Sequence, residues 1–118
     1  MYAHACLANY LHDTSNNKIG GMLAYAATYP STCNPSDQLL VARFNEFVNN
    51  SLLDAFVRGS YSPAVISFVK RYHLHLDIEK DELAEIKKMK SDFIAFSYYR
   101  TDVIDASKVP VDCAPNYY

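Results

Sequence analysis

The side chains with chemical capacity are scattered through this 118-residue chain, and their spacing decides which could act together. His73 and His75 stand two apart, so an extended segment would point both imidazoles the same way. A zinc site needs three or four ligands, and spacing places no third one beside them. They read as surface histidines. Glu79, Glu82 and Glu85 recur every third residue, which lays them along a solvated helix face and not across a pocket as an acid/base pair. Cys6, Cys33 and Cys113 are far apart and odd in number, with no CxxC or CxxxC spacing. They favour neither zinc nor a disulfide framework, so free thiols in a reducing cytosol are the simpler reading. Cys33 has no base placed beside it and reads as inert. Ser97 and Tyr99 close an apolar run. If that run is a strand, Phe93, Ala95, Ser97 and Tyr99 face one way and Ile94, Phe96 and Tyr98 the other. From the residues alone, two hydroxyls on one face read as polar ends of a buried strand, capped by water.

Composition removes several classes of function. Eleven basic and 13 acidic residues leave a formal charge of −2. The only basic clusters, KRY at 70–72 and KKMK at 87–90, suit helix ends or solvated faces, so no nucleic-acid partner is implied. No apolar run approaches the ~20 residues of a membrane span. MYAHACLANYL carries no basic leader pattern, so a cytoplasmic protein is expected. No cofactor and no metal are called for. Ten tyrosines and no tryptophan suit a sugar-like or peptide-like surface, and equally plain packing.

The elements that must position these groups follow from periodicity. Ala3, Leu7, Ala8 and Leu11 predict the tail of a helix over 2–12 that begins in mid-pattern. Asp13 to Asn17 reads as a loop. Lys18 to Ala26 is a short continuous apolar run, as in a strand buried on both faces of a parallel sheet, and Gly20 and Gly21 permit close backbone approach. Thr28 to Pro35 reads as a loop. Ser36 is expected to cap a helix with Asp37 in its first turn, facing the helix dipole, and Leu39, Leu40, Phe44, Phe47 and Val48 as its stripe. Asn49-Asn50-Ser51 is expected to interrupt it before a short helix, 52–57, stopped by Gly59. Ser62-Pro63 starts a further helix, 74–78 is extended or loop, and Glu79 to Lys88 is a charged helix. Asp92 to Tyr99 is the second buried strand. Two apolar strands joined by a helical crossover predict a parallel β-α-β unit. One crossover cannot cover both sheet faces, so the chain reads as a slice of a larger α/β protein.

Three stretches carry a family resemblance. Ile19-Gly-Gly-Met-Leu-Ala-Tyr-Ala-Ala-Thr-Tyr-Pro-Ser-Thr-Cys-Asn-Pro35 resembles the fifth barrel strand and following loop of bacterial 6-phospho-β-glucosidases, in family 1 of the glycoside hydrolases. Leu53-Asp-Ala-Phe-Val-Arg-Gly-Ser-Tyr61 is similar to the family's D-P-[IV]-x-x-G-x-Y segment. Asp92-Phe-Ile-Ala-Phe-Ser-Tyr-Tyr99 resembles its sixth strand, ending F-S-Y-Y as in the phospho branch. The resemblance runs from about residue 3 to about residue 104. Ala55 replaces the usual proline, Ser62-Pro63 replaces a Tyr-Pro junction, and the loop at Asp13 to Asn17 is slightly short.

The resemblance implies an α/β fold: a partial (β/α)₈ barrel running roughly from the end of helix 4 through strand 6. A whole barrel needs ~250 residues. It implies a single incomplete segment of a retaining hydrolase of 6-phospho-β-glucosides, the phosphorylated β-glucoside being the parent's ligand. The family's T-x-N-E and T-E-N-G glutamates, which must face each other ~5–5.5 Å apart, do not occur in this chain. No residue here is therefore assigned as catalytic, and the chain alone is expected to be inactive. By the same resemblance Tyr99 would donate to the nucleophile carboxylate, Ser97 would stand beside it, and Ala24 and Tyr25 would line the barrel mouth. Tyr61 would be structural. Two further readings stay open: a stand-alone small α/β binding module, and a barrel piece that assembles with separately encoded parts. Exposed strands would favour self-association.

Overall fold

A computed structural model describes residues 1–113. Helix α1 spans Tyr2–Thr14, and its last turn runs past the expected loop start at Asp13. The Thr14 hydroxyl bonds back to Tyr10 O (2.6 Å) and the Ser15 hydroxyl to Leu11 O (2.9 Å), which holds that turn. Strand β1, Gly20–Pro30, and strand β2, Phe93–Ile104, pair in parallel, as the long crossover requires. Both strands outrun the apolar stretches that predict them. β1 continues into the segment read as a loop, as far as Pro30, and β2 goes five residues beyond Tyr99. Backbone pairing carries them on, and the polar residues there find local partners: the Thr28 hydroxyl donates to Ala26 O (3.2 Å), and Arg100 pairs with Asp102 (3.0 Å).

Helix α2, Pro35–Phe44, starts at Pro35, whose fixed φ suits a first helical position. Its cap is Asn34, not the expected Ser36: the Asn34 side chain accepts from Ser36 N at 3.1 Å. The predicted break at Asn49-Asn50-Ser51 is also corrected. The chain passes through a π turn, Asn45–Asn49, straight into helix α3, Asn50–Arg58. Asn45 and Asn49 are not turn formers here. Their amides reach carbonyls of β1, with Asn49 Nδ2 at 3.0 Å from Ala26 O and Asn45 Nδ2 at 3.4 Å from Thr28 O. Gly59 closes α3 in the left-handed region (φ 63°) as predicted. A Cβ there would fall 2.8 Å from Ile86 O, so the position is closed to side chains twice over.

Helix α4, Pro63–Arg71, is capped by the Ser62 hydroxyl. Residues 74–78 form the expected irregular segment, with His73 and His75 both exposed. Helix α5, Lys80–Lys88, begins at Glu79, whose N–H donates to Glu82 (3.1 Å). Its acidic row is not wholly solvated: Glu85 is half-buried and accepts from Asn9 Nδ2 at 2.7 Å.

The core lies on one face of β1. Ala5 and Ala8 of α1, Leu23, Phe56 of α3, Ile86 of α5 and Met89 just after it bury one another. Gly21 is small because Phe56 lies on its backbone: a Cβ there would meet the ring at 2.5 Å. The opposite face of the pair is bare, with Met22 70% exposed. The result is a flat body of 53 × 31 × 18 Å, one sheet and one helix layer thick. Its radius of gyration of 16.5 Å exceeds the about 13.5 Å of a compact domain this long.

Candidate functional site

Parallel α/β folds place ligands at the C-terminal ends of their strands. Here Ala24, Tyr25, Ser97 and Tyr99 lie mid-strand, five or more residues short of the ends at Pro30 and Ile104. The ladder sets Ala24 opposite Ser97 and Tyr25 opposite Tyr98. Ser97 is half-buried, and its hydroxyl lies 3.6 Å from Met22 Sδ, on the face turned away from the helices. Ala24 and Ser97 thus sit side by side. Tyr25 goes to the other face, where its ring meets Phe96 edge-on at 5.6 Å.

Tyr99 does not continue the alternation. Tyr25 pairs with Tyr98 and Ala26 pairs with Arg100, so Tyr99 is the extra residue of a bulge. Bulges bend a strand and re-aim a side chain, and they recur beside active sites. Tyr99 is 74% exposed. The Tyr98 phenol, by contrast, is engaged by the Thr101 hydroxyl. The bulge gives the two tyrosines different surroundings, which the sequence pattern alone does not do.

Asp37 organises the C-terminal end of the pair, and sequence reasoning missed it by giving it only a place in a helix's first turn. It is buried, and its carboxylate accepts from Thr32 Oγ1 (2.7 Å), Thr32 N (3.0 Å) and Ala106 N (2.9 Å). It therefore ties the loop after β1 to the short 3₁₀ turn Ala106–Lys108 that follows β2. The Thr32 hydroxyl first, and the Ala106 N–H next, hold its pKa below the ordinary 3.8. The signal for it was the spacing of Thr32 and Asp37 around Asn34-Pro35, a polar loop folded onto a helix start.

A second carboxylate closes the opposite end. Asp92 Oδ2 accepts from Ile19 N (2.8 Å) and His12 Nε2 (2.9 Å), while Asp92 N donates to Ile19 O (2.8 Å). The Ile19 N–H first, then His12, lower its pKa. Tyr61 is partly buried, and burial raises its phenol pKa. An open apolar groove of about 770 Å³ runs between α2, α4 and the chain after β2, past Leu39, Phe47, Phe68 and Val109. None of Ala24, Tyr25, Ser97 or Tyr99 lines it. Among the described residues no group of three His, Cys, Asp or Glu is arranged to hold a metal, and no helix is long and apolar enough to cross a membrane.

Comparison with known proteins agrees with the fold. The glycosyl hydrolase family 1 model matches residues 1–117. The chain is 32% identical over 95 residues to the aryl-phospho-β-D-glucosidase BglC of Bacillus subtilis, covering 80% of this chain and 20% of that enzyme. It is 31% identical over 112 residues to a phospho-cellobiase of Klebsiella oxytoca, covering 92% and 23%. A psychrophilic β-glucosidase from Micrococcus antarcticus superposes on 94% of the chain and 24% of its own length, at a TM-score of 0.77 and 25% identity. A family 1 β-glucosidase from Thermotoga maritima gives a TM-score of 0.67 at 30% identity, covering 84% and 22%. The chain spans about a fifth to a quarter of the length of these proteins.

Proposed function

The chain belongs to glycosyl hydrolase family 1, on its phospho-glycosidase branch, and from that premise we propose that it is the segment carrying barrel strands five and six of a retaining enzyme that hydrolyses 6-phospho-β-glucosides. The match over residues 1–117, shared with relatives named for phosphorylated β-glucosides, carries this reading. In the parent, Ser97 and Tyr99 face the nucleophile carboxylate from strand six, and Ala24 and Tyr25 line the barrel mouth. A phenol donor at Tyr99 orients that carboxylate and keeps it ionised. The bulge at Tyr99 supports this reading, because it frees that side chain from the ladder. The parent is proposed to be cytoplasmic and to need no cofactor.

By itself the chain is proposed to be inactive, since both carboxyl groups of retaining hydrolysis would come from other strands. Its surplus of bare sheet favours a piece that assembles over a self-sufficient binding module. The test restores the flanking barrel in frame. The restored enzyme should show a higher kcat/KM for a 6-phospho-β-glucoside than for its unphosphorylated twin, while the 118-residue chain hydrolyses neither. Equal values on the two substrates would count against the phospho assignment. In the same enzyme Tyr99→Phe should lower kcat by on the order of 10²-fold, the cost of one preorganised donor. An unchanged kcat would remove Tyr99 from the site.

A further inference from the structure

The β1–β2 pair runs in two registers. From Gly20 to Tyr25 the strands keep step, with Gly20 opposite Phe93 and Tyr25 opposite Tyr98. From Ala26 to Pro30 the pairing is again regular but one residue further along β2, with Ala26 opposite Arg100 and Pro30 opposite Ile104. Tyr99 is the residue between the two. Each register ends in a carboxylate clasp. Ile19 and Asp92, one residue before Gly20 and Phe93, continue the first: Asp92 Oδ2 accepts from Ile19 N and Asp92 N donates to Ile19 O, both at 2.8 Å. Thr32 and Ala106, two residues past Pro30 and Ile104, continue the second. Asp37 joins them by accepting from Thr32 N, Thr32 Oγ1 and Ala106 N. With both ends held, the extra residue of β2 has to leave the ladder in between.

Side-chain burial does not choose between the registers beyond Tyr99. A slip of one residue would close the bulge, set Tyr99 opposite Ala26 and Val103 opposite Pro30, and turn the later side chains of β2 to the other face. Val103 would take the place of Ile104, now 5% exposed, and both are apolar and β-branched. The Tyr98–Thr101 contact lies within β2 and sets no register against β1. The Asp37 clasp does choose. Its three hydrogen bonds go to a carboxylate, which makes them charge-assisted and strong. The slip would bring acidic Asp105, in place of Ala106, up to that carboxylate.

We propose that Asp37 is a positioning residue for the reaction: its clasp holds the second register, and so keeps Tyr99 out of the ladder, where it can reach the nucleophile carboxylate. The effect on catalysis rests on the role proposed above for Tyr99, whereas the effect on register stands on the ladder alone. Asp37 acts through Tyr99 and touches no substrate.

The enzyme with its flanking barrel restored tests both effects. A crystal structure of Asp37→Ala should show Ala26 opposite Tyr99 and no bulge. The same variant should lose up to about 10²-fold in kcat with KM nearly unchanged, the cost of misplacing one group. Combining it with Tyr99→Phe should cost little more than Tyr99→Phe alone, since both changes remove one and the same interaction. Thr32→Val deletes the 2.7 Å hydroxyl donor and keeps both backbone donors. It should show a smaller loss of the same kind, and it carries the test if Asp37→Ala does not fold. A structure that keeps Ala26 opposite Arg100, or a kcat loss that multiplies in full with that of Tyr99→Phe, would overturn the proposal. A Tyr99→Phe enzyme of undiminished kcat would instead overturn the role of Tyr99, and the register seen in Asp37→Ala would still decide whether Asp37 holds the bulge.

Discussion

β1 and β2 share a ladder and a similar content of apolar and aromatic residues, yet water meets them very differently. Leu23 of β1 is 5% exposed, whereas Phe96 of β2 is 55% and Val103 64% exposed. The cause is what each strand feeds. β1 runs into α2, the π turn and α3, which fold back on it, bring Phe56 against Gly21 and cap its edge with two amides. β2 runs into a single 3₁₀ turn among the described residues, and of its apolar residues only Ile94 near its start and Ile104 at its end reach cover. An apolar strand therefore does not bury itself. It is buried by the helices packed on it, and the same residue types are core in one strand and exposed in its neighbour.

The sharpest way to break this contrast is to remove one ring from each side. Phe56→Ala takes away the side chain that closes the covered face and should cost about 3–5 kcal/mol. Phe96→Ala removes a ring of the same size from the bare strand and should stay within about 1 kcal/mol, the range of exposed sites. Urea midpoints at one fixed protein concentration compare them, since association shifts apparent stability. Similar losses at both positions would mean that β2 is covered in solution.

A smaller effect sharpens the comparison at the strand ends, where both strands are held alike. Asp37 clasps the C-terminal end and Asp92 the N-terminal end, and both carboxyls have pKa values held below 3.8 in the folded chain. A depressed folded pKa means that the native state favours the ionised form. Its contribution is fully present above the unfolded value and is lost as pH falls through the folded one. Stability should therefore fall on acidification below about pH 4. Asp37→Asn and Asp92→Asn should each flatten that acid limb, which thermal melts between pH 2 and pH 6 would register. An acid limb that keeps its slope in both variants would assign the loss to other carboxylates.

Much of this was legible in the sequence because it depends on neighbours a few residues apart. The Gly59 stop, the Ser62-Pro63 start and the Glu79 helix start are local devices, and the structure keeps them. The two apolar runs with a helical crossover already implied a parallel pair. What local pattern misjudged were residues whose partners are distant. Asn49 looks like a breaker until the carbonyl of Ala26, 23 positions away, accepts its amide. Asp37 looks like a dipole partner until Ala106, 69 positions away, donates to it.

The candidate site divides in the same way. The motifs around Tyr25 and Tyr99 identified family and branch, because residue types at fixed spacing survive in the chain itself. The shared face of Ser97 and Ala24 comes from the register between the strands, which periodicity within either one does not contain. Tertiary structure alone decided that Tyr99 leaves the ladder, because a bulge is a mismatch between two strands and neither strand's sequence contains it. It likewise decided which strand is covered. Burial depends on where a helix lands after a crossover, and no residue in β1 or β2 records that.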